Sequence, residues 1–328
     1  MATYKGIKGV KVVSKASDPT VTEAIGTVWY NTTSTALKYA IQGTGAWASG
    51  TSAPTAGNQS GGAGISTAFL MWGGSAPGNT NLSYKFNGTA WTSTNNLVNN
   101  QSGTMGVGTE TAAMGCGGYN DSGYNNRTEE FNGTSWANVN VDANTPQVGY
   151  KGLCGTQTSA LSAGGYGSPP GQVDKCSEYD GTNWTAATAY PSAKSNIFAI
   201  GTQTAALMVG GQPPIQSAGF DYNGTSWTAG AAINTARTQG QNGGLTSAGM
   251  IAGGQTPSNS VKTESYNGTS WSEVGDLGTA RGVQTKGYTG TGDAQSSFIV
   301  ACGNAPAKSN TVEIWSDPVY AIKTVTVS

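Results

Sequence analysis

Histidine is absent from the sequence of 328 residues, and charged residues are scarce. Without histidine the chain lacks the commonest general base and a favoured metal ligand, so we expect no metal and no other cofactor. Charged residues make up 10% of the chain and the formal net charge is −1, so no basic surface for nucleic acid is expected. Apolar runs also fall short of the roughly 20 residues that a membrane-spanning helix needs. These absences argue against nucleic-acid binding, membrane insertion and histidine-dependent catalysis.

A hydrophobic leader is missing as well, because residues 1–5 are not followed by the apolar segment of a signal peptide. We therefore expect no secretion signal. If the protein acts outside cells, we expect it to leave the cytoplasm by assembly or lysis.

Glycine, in contrast, is abundant at 50 residues, and several of the glycines belong to one sequence motif that recurs along the chain. The motif consists of an aromatic residue, Asn-Gly or Asp-Gly, two small or polar residues and Trp. We interpret it as a β-hairpin in which Asn-Gly forms a tight turn, because both residues tolerate positive φ at low cost. Clear copies begin at Phe86, Phe131, Tyr179, Tyr222 and Tyr266, and degenerate copies lie at 42–47 and 315–320.

The second aromatic residue of the motif recurs every 43 to 49 residues, at positions 47, 91, 136, 184, 227, 271 and 320. This is the period of propeller repeats, in which each repeat forms one four-stranded blade. The spacing therefore predicts an all-β propeller. Seven hairpins favour seven blades, and six blades with a separate N-terminal arm are the alternative, because six copies contain a glycine-ended apolar strand.

Each repeat is predicted to contain four strands and no helix, because no segment has a helical apolar period. A polar, Gly-rich segment such as 235–240 is assigned to the innermost strand. An apolar strand, a loop, the aromatic strand and the Trp strand follow it. The glycines that end the apolar strands allow neighbouring sheets to approach closely. These apolar strands are predicted at 69–74, 112–118, 160–165, 205–211, 248–254 and 298–303.

The recurring tryptophans and two cysteines are interpreted as structural. A large aromatic side chain at a fixed repeat position suits a wedge between blades better than a platform for sugars. Cys116 and Cys302 occupy equivalent positions and are predicted to be small buried core residues; disulfides among the four cysteines are the alternative. The tryptophans are Trp91, Trp136, Trp184, Trp227 and Trp271.

The glycine-ended strand, the aromatic residue and the later Trp resemble the kelch repeat over residues 48 to about 320, although these repeats are richer in Gly, Thr and Ala. Residues 26–33 and 37–39 are similar to a hairpin of many tailed-phage structural proteins. The units at 201–207 and 222–227 are similar to serial units in such proteins from marine phages. The resemblance implies a virion component such as a tail fibre, spike or surface appendage, which is assembled in the host cytoplasm.

The same resemblance implies how the chain is organised and what it contacts. Residues 1–47 are expected to form a divergent blade or a segment that docks to other virion proteins. A host surface glycan and further copies of the chain, in a homo-oligomer or larger assembly, are the other expected partners. Kelch-like repeats are expected at 48–328, with bounds 48–91, 92–136, 137–184, 185–227, 228–271 and 272–328.

Catalytic patterns of propeller enzymes are not evident in the sequence. Residues 177–184 are similar to the Asp box of sialidases, but Asp180 directly precedes Gly181, one place away from the acid of that box. Arg237 and Arg281 both follow Thr-Ala, which indicates a repeated structural role rather than a substrate-binding arginine cluster. Carboxylate pairs for glycoside hydrolysis could be drawn from Asp121, Glu129, Glu130, Asp174 and Glu178, but Glu130, Glu178 and Glu264 fall near matching repeat positions that suit blade edges.

A non-enzymatic virion structural protein that displays the propeller for host-surface or subunit binding is therefore the preferred hypothesis. A polysaccharide-degrading or sialidase-like enzyme stays the alternative, and an intracellular kelch-type protein-interaction module is a further one.

The loops between the apolar and aromatic strands are expected on one rim of the ring, where recognition usually takes place. They lie at 75–82, 119–128, 166–175, 212–218, 255–262 and 305–311. The loop at 119–128 is rich in Tyr and Asn, which suit stacking on sugar rings and hydrogen bonding to hydroxyl groups. The alternative is a solvated loop. The predicted binding residues are Tyr119, Asp121, Tyr124, Arg127 and Tyr166.

Overall fold

The computed structural model describes residues 12–19, 27–42, 45–75, 77–142, 146–168, 171–282, 286–289, 294–316 and 320–325. The chain divides into two compact units, one of residues 1–45 with 317–328 and the other of residues 46–316. No helix in the described ranges is long and apolar enough to cross a membrane.

The smaller unit contains a four-stranded sheet. β2 (Val28–Asn31) and β3 (Ala36–Gln42) form an antiparallel hairpin, β1 (Val13–Lys15) pairs in parallel with β2, and β31 (Tyr320–Thr324) pairs antiparallel with β3. These strands belong to a unit separate from the blades, so the described part of residues 1–47 does not form the divergent blade that was one of our two expectations from the sequence.

The Asp18 carboxylate links two strands of the smaller sheet through hydrogen bonds. The Asp18 carboxylate accepts hydrogen bonds from the Trp29 indole at 3.2 Å, the Asn31 amide at 2.6 Å and the Lys38 ammonium at 2.7 Å. Because Trp29, Asn31 and Lys38 lie on β2 and β3, one side chain fixes both strands.

The larger unit consists of antiparallel blades, whose strands are named a to d from the innermost strand outward. Five blades take their four strands in chain order, and in one of them two strands of a separate small sheet intervene between strands b and c. These are β5 (Gly61–Ile65), β6 (Ala68–Trp72), β7 (Ser83–Phe86) and β8 (Trp91–Thr94); β9 (Met105–Gly108), β10 (Ala113–Asn120), β11 (Gly123–Phe131) and β12 (Trp136–Val141); β14 (Gly152–Thr156), β15 (Ser159–Ala163), β18 (Cys176–Tyr179) and β19 (Trp184–Ala187); β20 (Phe198–Thr202), β21 (Ala205–Val209), β22 (Gly219–Tyr222) and β23 (Trp227–Gly230); and β24 (Gln241–Leu245), β25 (Ala248–Ala252), β26 (Thr263–Tyr266) and β27 (Trp271–Glu273).

The sixth blade joins the two ends of the larger unit. It contains β28 (Lys286–Thr289), one helical turn, α1 (Ala294–Ser297), then β29 (Ile299–Asn304) and β30 (Lys308–Ser316), and its d strand is β4 (Ala46–Gly50). β28 pairs in parallel with the a strands β24 and β5 of the neighbouring blades, which closes the ring. The protein is therefore an all-β propeller, as predicted.

The number of blades follows from the pairing of β4 with β30. This pairing places Trp47 opposite Trp315, so the two degenerate hairpin copies belong to one blade. The preferred count of seven is wrong for this reason, and the described strands form six blades, which was the alternative. The boundary expected after residue 47 also falls inside β4.

Glycine in the a strands makes room for a buried tryptophan. Trp72 is fully buried, and a Cβ atom on Gly61 or Gly106 would lie 2.4 or 2.5 Å from its side chain. The polar segment at 235–240, which we assigned to an a strand, instead precedes the a strand Gln241–Leu245.

The Asn-Gly hairpin also differs from the predicted tight turn. Phe86 pairs with Trp91, so the turn contains four residues, and Gly88 but not Asn87 has a positive φ. The Asn87 side chain accepts hydrogen bonds from the backbone N–H groups of Thr89 and Ala90. Asn is therefore selected for this side-chain bond, and Gly for its backbone conformation.

The Trp side chain of the d strand joins each of several blades to the preceding one. The indole N–H donates to a hydroxyl oxygen on the neighbouring c strand, as from Trp184 to Thr128 at 2.8 Å. Trp136 and Trp271 are also buried, whereas Trp91 and Trp227 are half-buried and donate to backbone carbonyls of the preceding blade. The predicted structural role is confirmed. Equivalent bonds run from Trp136 to Ser83 and from Trp47 to Thr263.

Buried ion pairs hold the segments that connect blades. The Arg237 guanidinium donates to Glu264 at 2.8 Å and to the carbonyl of Gly253 at 3.0 Å, and both charged side chains are fully buried. Arg281 pairs with Glu313 in the next blade. The structural role predicted for the two arginines is confirmed. The four cysteines, Cys116, Cys154, Cys176 and Cys302, are buried and free of disulfides.

Candidate functional site

The connections between b and c strands lie on one face of the propeller. Parallel pairing of a strands gives blades the same direction, so their b strands end on the same side. On that side, the start of each connection pairs with the segment before its own a strand, as Ser102 does with Tyr119. This is the common rim that the repeat predicts, and we call it the b–c face.

Left-handed residues surround the propeller axis on the b–c face. One residue before each of five a strands has a φ between 55° and 62°, and only one of the five is glycine. Such a conformation is uncommon for other residues and persists where the surroundings fix it. The five are Gln59, Gly103, Tyr150, Asn196 and Gln239.

Backbone hydrogen bonds fix several of these residues from blade to blade. The N–H of Gly103 donates to the carbonyl of Gln59 at 2.8 Å, and the N–H of Tyr150 donates to Gly103 at 3.1 Å. The N–H of Asn196 then donates to Tyr150 at 2.7 Å. The left-handed conformation turns each N–H toward the preceding blade, and we call this series the axial ladder.

Four tyrosines form a cluster beside the axial ladder. The ring centroid of Tyr124 lies 5.3 Å from that of Tyr119, 5.7 Å from Tyr166 and 6.3 Å from Tyr150, all at steep angles. Three of these residues were predicted from the sequence. Tyr150 was not, because it precedes an a strand and lies outside the b–c connections.

The tyrosines are placed by hairpins rather than by irregular loops. β10 and β11 continue past the blade, so Tyr119 pairs with Tyr124 across a two-residue turn. In the next blade, β13 (Gln147–Gly149), β16 (Tyr166–Ser168) and β17 (Gly171–Gln172) form a small sheet that carries Tyr166. The predicted loop at 119–128 is therefore a projecting β-hairpin, which holds its aromatic side chains more firmly than a loop would.

A polar cavity of about 440 Å³ opens at the axial ladder. Tyr150, Tyr166 and Ser195 line it together with five amide side chains, and among the residues that the structure describes none of those lining it is charged. We call it the axial cavity. The amide side chains are those of Gln59, Gln172, Asn196, Gln212 and Gln239.

Asp121 and Arg127 lie away from the axial cavity. Asp121 occupies the tip of the hairpin and accepts a hydrogen bond from Asn79 at 3.0 Å. The Arg127 side chain is exposed, and both residues line a separate depression of about 410 Å³ with Asn99. The five predicted residues therefore divide into a tyrosine group and an outer polar pair.

Burial moves the pKa values of two phenols of the cluster further above neutral pH. It raises the pKa of Tyr150 to about 12, and the Tyr150 hydroxyl donates to Gln59 Oε1 at 3.2 Å. Burial also raises the pKa of Tyr124. At neutral pH both side chains are uncharged hydrogen-bonding groups.

Three of the five carboxylates considered for hydrolysis are engaged between blades. Glu130 and Glu178 each accept a hydrogen bond at 2.8 Å from a tyrosine hydroxyl of the following blade, and Glu129 accepts from Val98 and Asn99. Burial raises the pKa of Glu129 and of Glu130. In the described residues no group of three or more His, Cys, Asp and Glu side chains could hold a metal ion.

Comparison with known proteins supports the architecture. The chain is similar to the solved structure of YjhT, with a TM-score of 0.65 and 14% sequence identity, over 84% of this chain and 99% of that one. At this identity the similarity shows the fold alone. No family model matches the sequence, and no curated protein matches it either.

Proposed function

We propose that the protein is a non-enzymatic structural component of a phage particle, and that its b–c face binds a host-surface or subunit partner. One observation carries the proposal: Tyr119, Tyr124 and Tyr166 lie together with Tyr150 beside the axial cavity. Tyrosines supply large contact areas at low entropic cost, which favours recognition.

Exposure of the tyrosine cluster is consistent with such a role. Tyr119 is 40% exposed, whereas most large apolar side chains of the blades are buried. Tyr124 and Tyr166 are half-buried, so one part of each ring is fixed while another part faces solvent. This arrangement suits contact with a partner whose surface is partly apolar.

The setting on a virion rests on the sequence resemblance at 26–33, 201–207 and 222–227. Within that setting we assign attachment to other virion proteins to the N-terminal segment, residues 1–47. The propeller then presents its b–c face to a host surface or to a neighbouring copy in the assembly.

The particle setting is tested by mass spectrometry of purified phage particles. We expect peptides from both units in the particle fraction at a constant ratio to the major structural proteins. Recovery of the protein from infected cells but not from particles would contradict the virion assignment.

The binding face is tested with particles that carry Tyr124→Ala. We expect normal assembly and at least a tenfold slower adsorption to host cells, because the substitution removes the centre of the tyrosine cluster. Thr134→Ala is the matched control, since Thr134 is an exposed residue of the Asn-Gly turn at the opposite end of the same blade. Equal adsorption by both variants would show that another face binds the host.

A further inference from the structure

The axial cavity carries a more specific inference, which rests on the proposed function and names its ligand. We infer that this cavity binds an uncharged saccharide, with its rings against Tyr150 and Tyr166 and its hydroxyl groups against the surrounding amides.

The charge of the cavity favours a neutral ligand. Every described residue that lines the cavity is uncharged. The lysine adjacent to Tyr150 is Lys151, which is fully buried and pairs with Asp142 at 3.0 Å. Recognition of a carboxylate or phosphate usually uses an available Arg or Lys, and Arg127 lines other depressions. Lys194, which precedes Ser195, does not line the cavity; it is buried and its ammonium donates to the carbonyl of Pro213. The described lining residues therefore offer an acidic sugar no ionic partner to offset its lost hydration.

Hydrogen-bonding capacity at the cavity matches hydroxyl groups. A side-chain amide offers both donors and acceptor sites, and a sugar hydroxyl needs both. The side chains of Gln172, Gln212 and Gln239 make no hydrogen bond to any described residue, so their amides are available to a ligand. All three are half-buried, so a bound ligand would complete their hydrogen bonding at modest desolvation cost.

The two tyrosines supply the apolar part of the site. A pyranose ring has an apolar face of C–H groups, and aromatic rings such as those of Tyr150 and Tyr166 can cover it. Tyr124 packs edge-on against both rings, which restricts their movement. The volume of about 440 Å³ lies in the range of small-ligand sites. It suits one or two sugar rings rather than a long chain lying flat.

The backbone prepares this site before a ligand arrives. Tyr150 and Asn196 are held in left-handed conformations by the axial ladder, so their side chains start from fixed backbone positions. Sites that need little ordering lose less affinity on binding.

The test uses the full chain and three probes, of which two are neutral disaccharides and one is an acidic trisaccharide. Saturation-transfer NMR and titration calorimetry compare lactose and N,N′-diacetylchitobiose, which are neutral, with 3′-sialyllactose, which adds one negatively charged sialic acid residue to lactose. We expect at least one neutral sugar to bind and 3′-sialyllactose to bind at least tenfold more weakly than lactose or not at all. Tighter binding of the acidic sugar, or no binding of any neutral sugar at millimolar concentration, would overturn the inference.

Variants locate the binding in the axial cavity. Gln239→Gly removes the amide while glycine readily accepts the φ of 61° at this position, and Tyr166→Leu removes the aromatic ring but keeps an apolar side chain. Each variant should bind the neutral sugar at least tenfold more weakly, whereas Thr134→Ala should leave binding unchanged. Unchanged binding in both cavity variants, with circular dichroism confirming their fold, would place the sugar elsewhere and contradict the inference.

The outcomes separate this inference from the proposed function. If Tyr124→Ala slows adsorption but the neutral sugars do not bind, the b–c face recognises another kind of partner and only the ligand class fails. If the sugars bind but the protein is absent from particles, the ligand class stands and the virion role fails.

Discussion

Trp47 and Trp315 pack edge to face across the last two strands of blade 6, with ring centroids 5.5 Å apart. They come from opposite ends of the larger unit, and the strands that carry them form a direct antiparallel pair. The two ends of the larger unit are therefore joined by non-covalent contacts between β4 and β30, which we call the seam.

Removal of the aromatic side chain from this seam should weaken the ring. Trp47→Ala deletes the contacts with Trp315 and Phe298 and the hydrogen bond to Thr263. Trp47 is half-buried, so we expect a loss of about 2–4 kcal/mol in the free energy of unfolding, toward the lower side of core Trp substitutions. Denaturant titration measures it. Ser49→Ala, at an exposed position of the same strand, should change the free energy of unfolding only slightly. Equal losses in the two variants would show that the contacts of Trp47 do not determine the stability of the propeller.

An inter-blade hydrogen bond gives a second prediction. Thr128→Val keeps the shape of the side chain but leaves the buried indole N–H of Trp184 without its acceptor. We expect a loss of about 1–3 kcal/mol, the usual cost of an unsatisfied buried donor. In a Trp184→Phe background the same change should cost less, because the donor is already gone. A double-mutant cycle without coupling would contradict this interpretation.

The buried arginine of blade 5 gives a third prediction. Arg237→Met leaves Glu264 buried without its cation, so we expect a loss of about 3–5 kcal/mol. Arg237→Lys should rescue little of it, because one ammonium cannot reproduce the guanidinium bonds to Glu264, Gly253 and Lys262. Arg127→Met, at an exposed position, is the control and should change thermal stability only slightly.

The smaller unit should respond to acid. Hydrogen bonds from Lys38 and then Asn31 hold the pKa of Asp18 below its usual value. A lowered pKa in the folded state means that this carboxylate stabilises the sheet above the unfolded pKa of 3.8, and that the contribution is lost as pH falls through the folded value. NMR should show the Trp29 indole N–H resonance shifting in that range. In Asp18→Asn this pH-dependent shift should disappear, and its persistence would assign it to another group.

The periodic hairpins were enough to predict the propeller, because Trp and Asn-Gly act locally and similarly in each repeat. The number of blades depended on pairing between distant residues. Trp47 and Trp315 each look like a separate repeat in sequence, and their shared blade becomes visible only through the β4–β30 pairing.

The site was predicted in part for a related reason. Tyr119, Tyr124 and Tyr166 lie in connections whose composition signals recognition, and they do cluster. Tyr150 was missed because its place at the axis depends on a left-handed backbone, which neither Tyr nor its neighbours in sequence indicate. The projecting hairpin was also missed, since Tyr119 and Tyr124 pair across an Asp-Ser turn that lacks the Asn-Gly signature.

The axial ladder separates the framework of the cavity from its lining. Neighbouring blades are joined there through main-chain N–H and carbonyl groups, so the connection does not depend on which side chain each position carries. Glycine, glutamine, asparagine and tyrosine already occupy equivalent places in this one chain. Residues that accept a positive φ can therefore be exchanged at these positions to alter the proposed sugar site, while the main-chain bonds between blades are retained. Gln59 and Asn196 are suitable starting points for changing the ligand specificity of that proposed site by design.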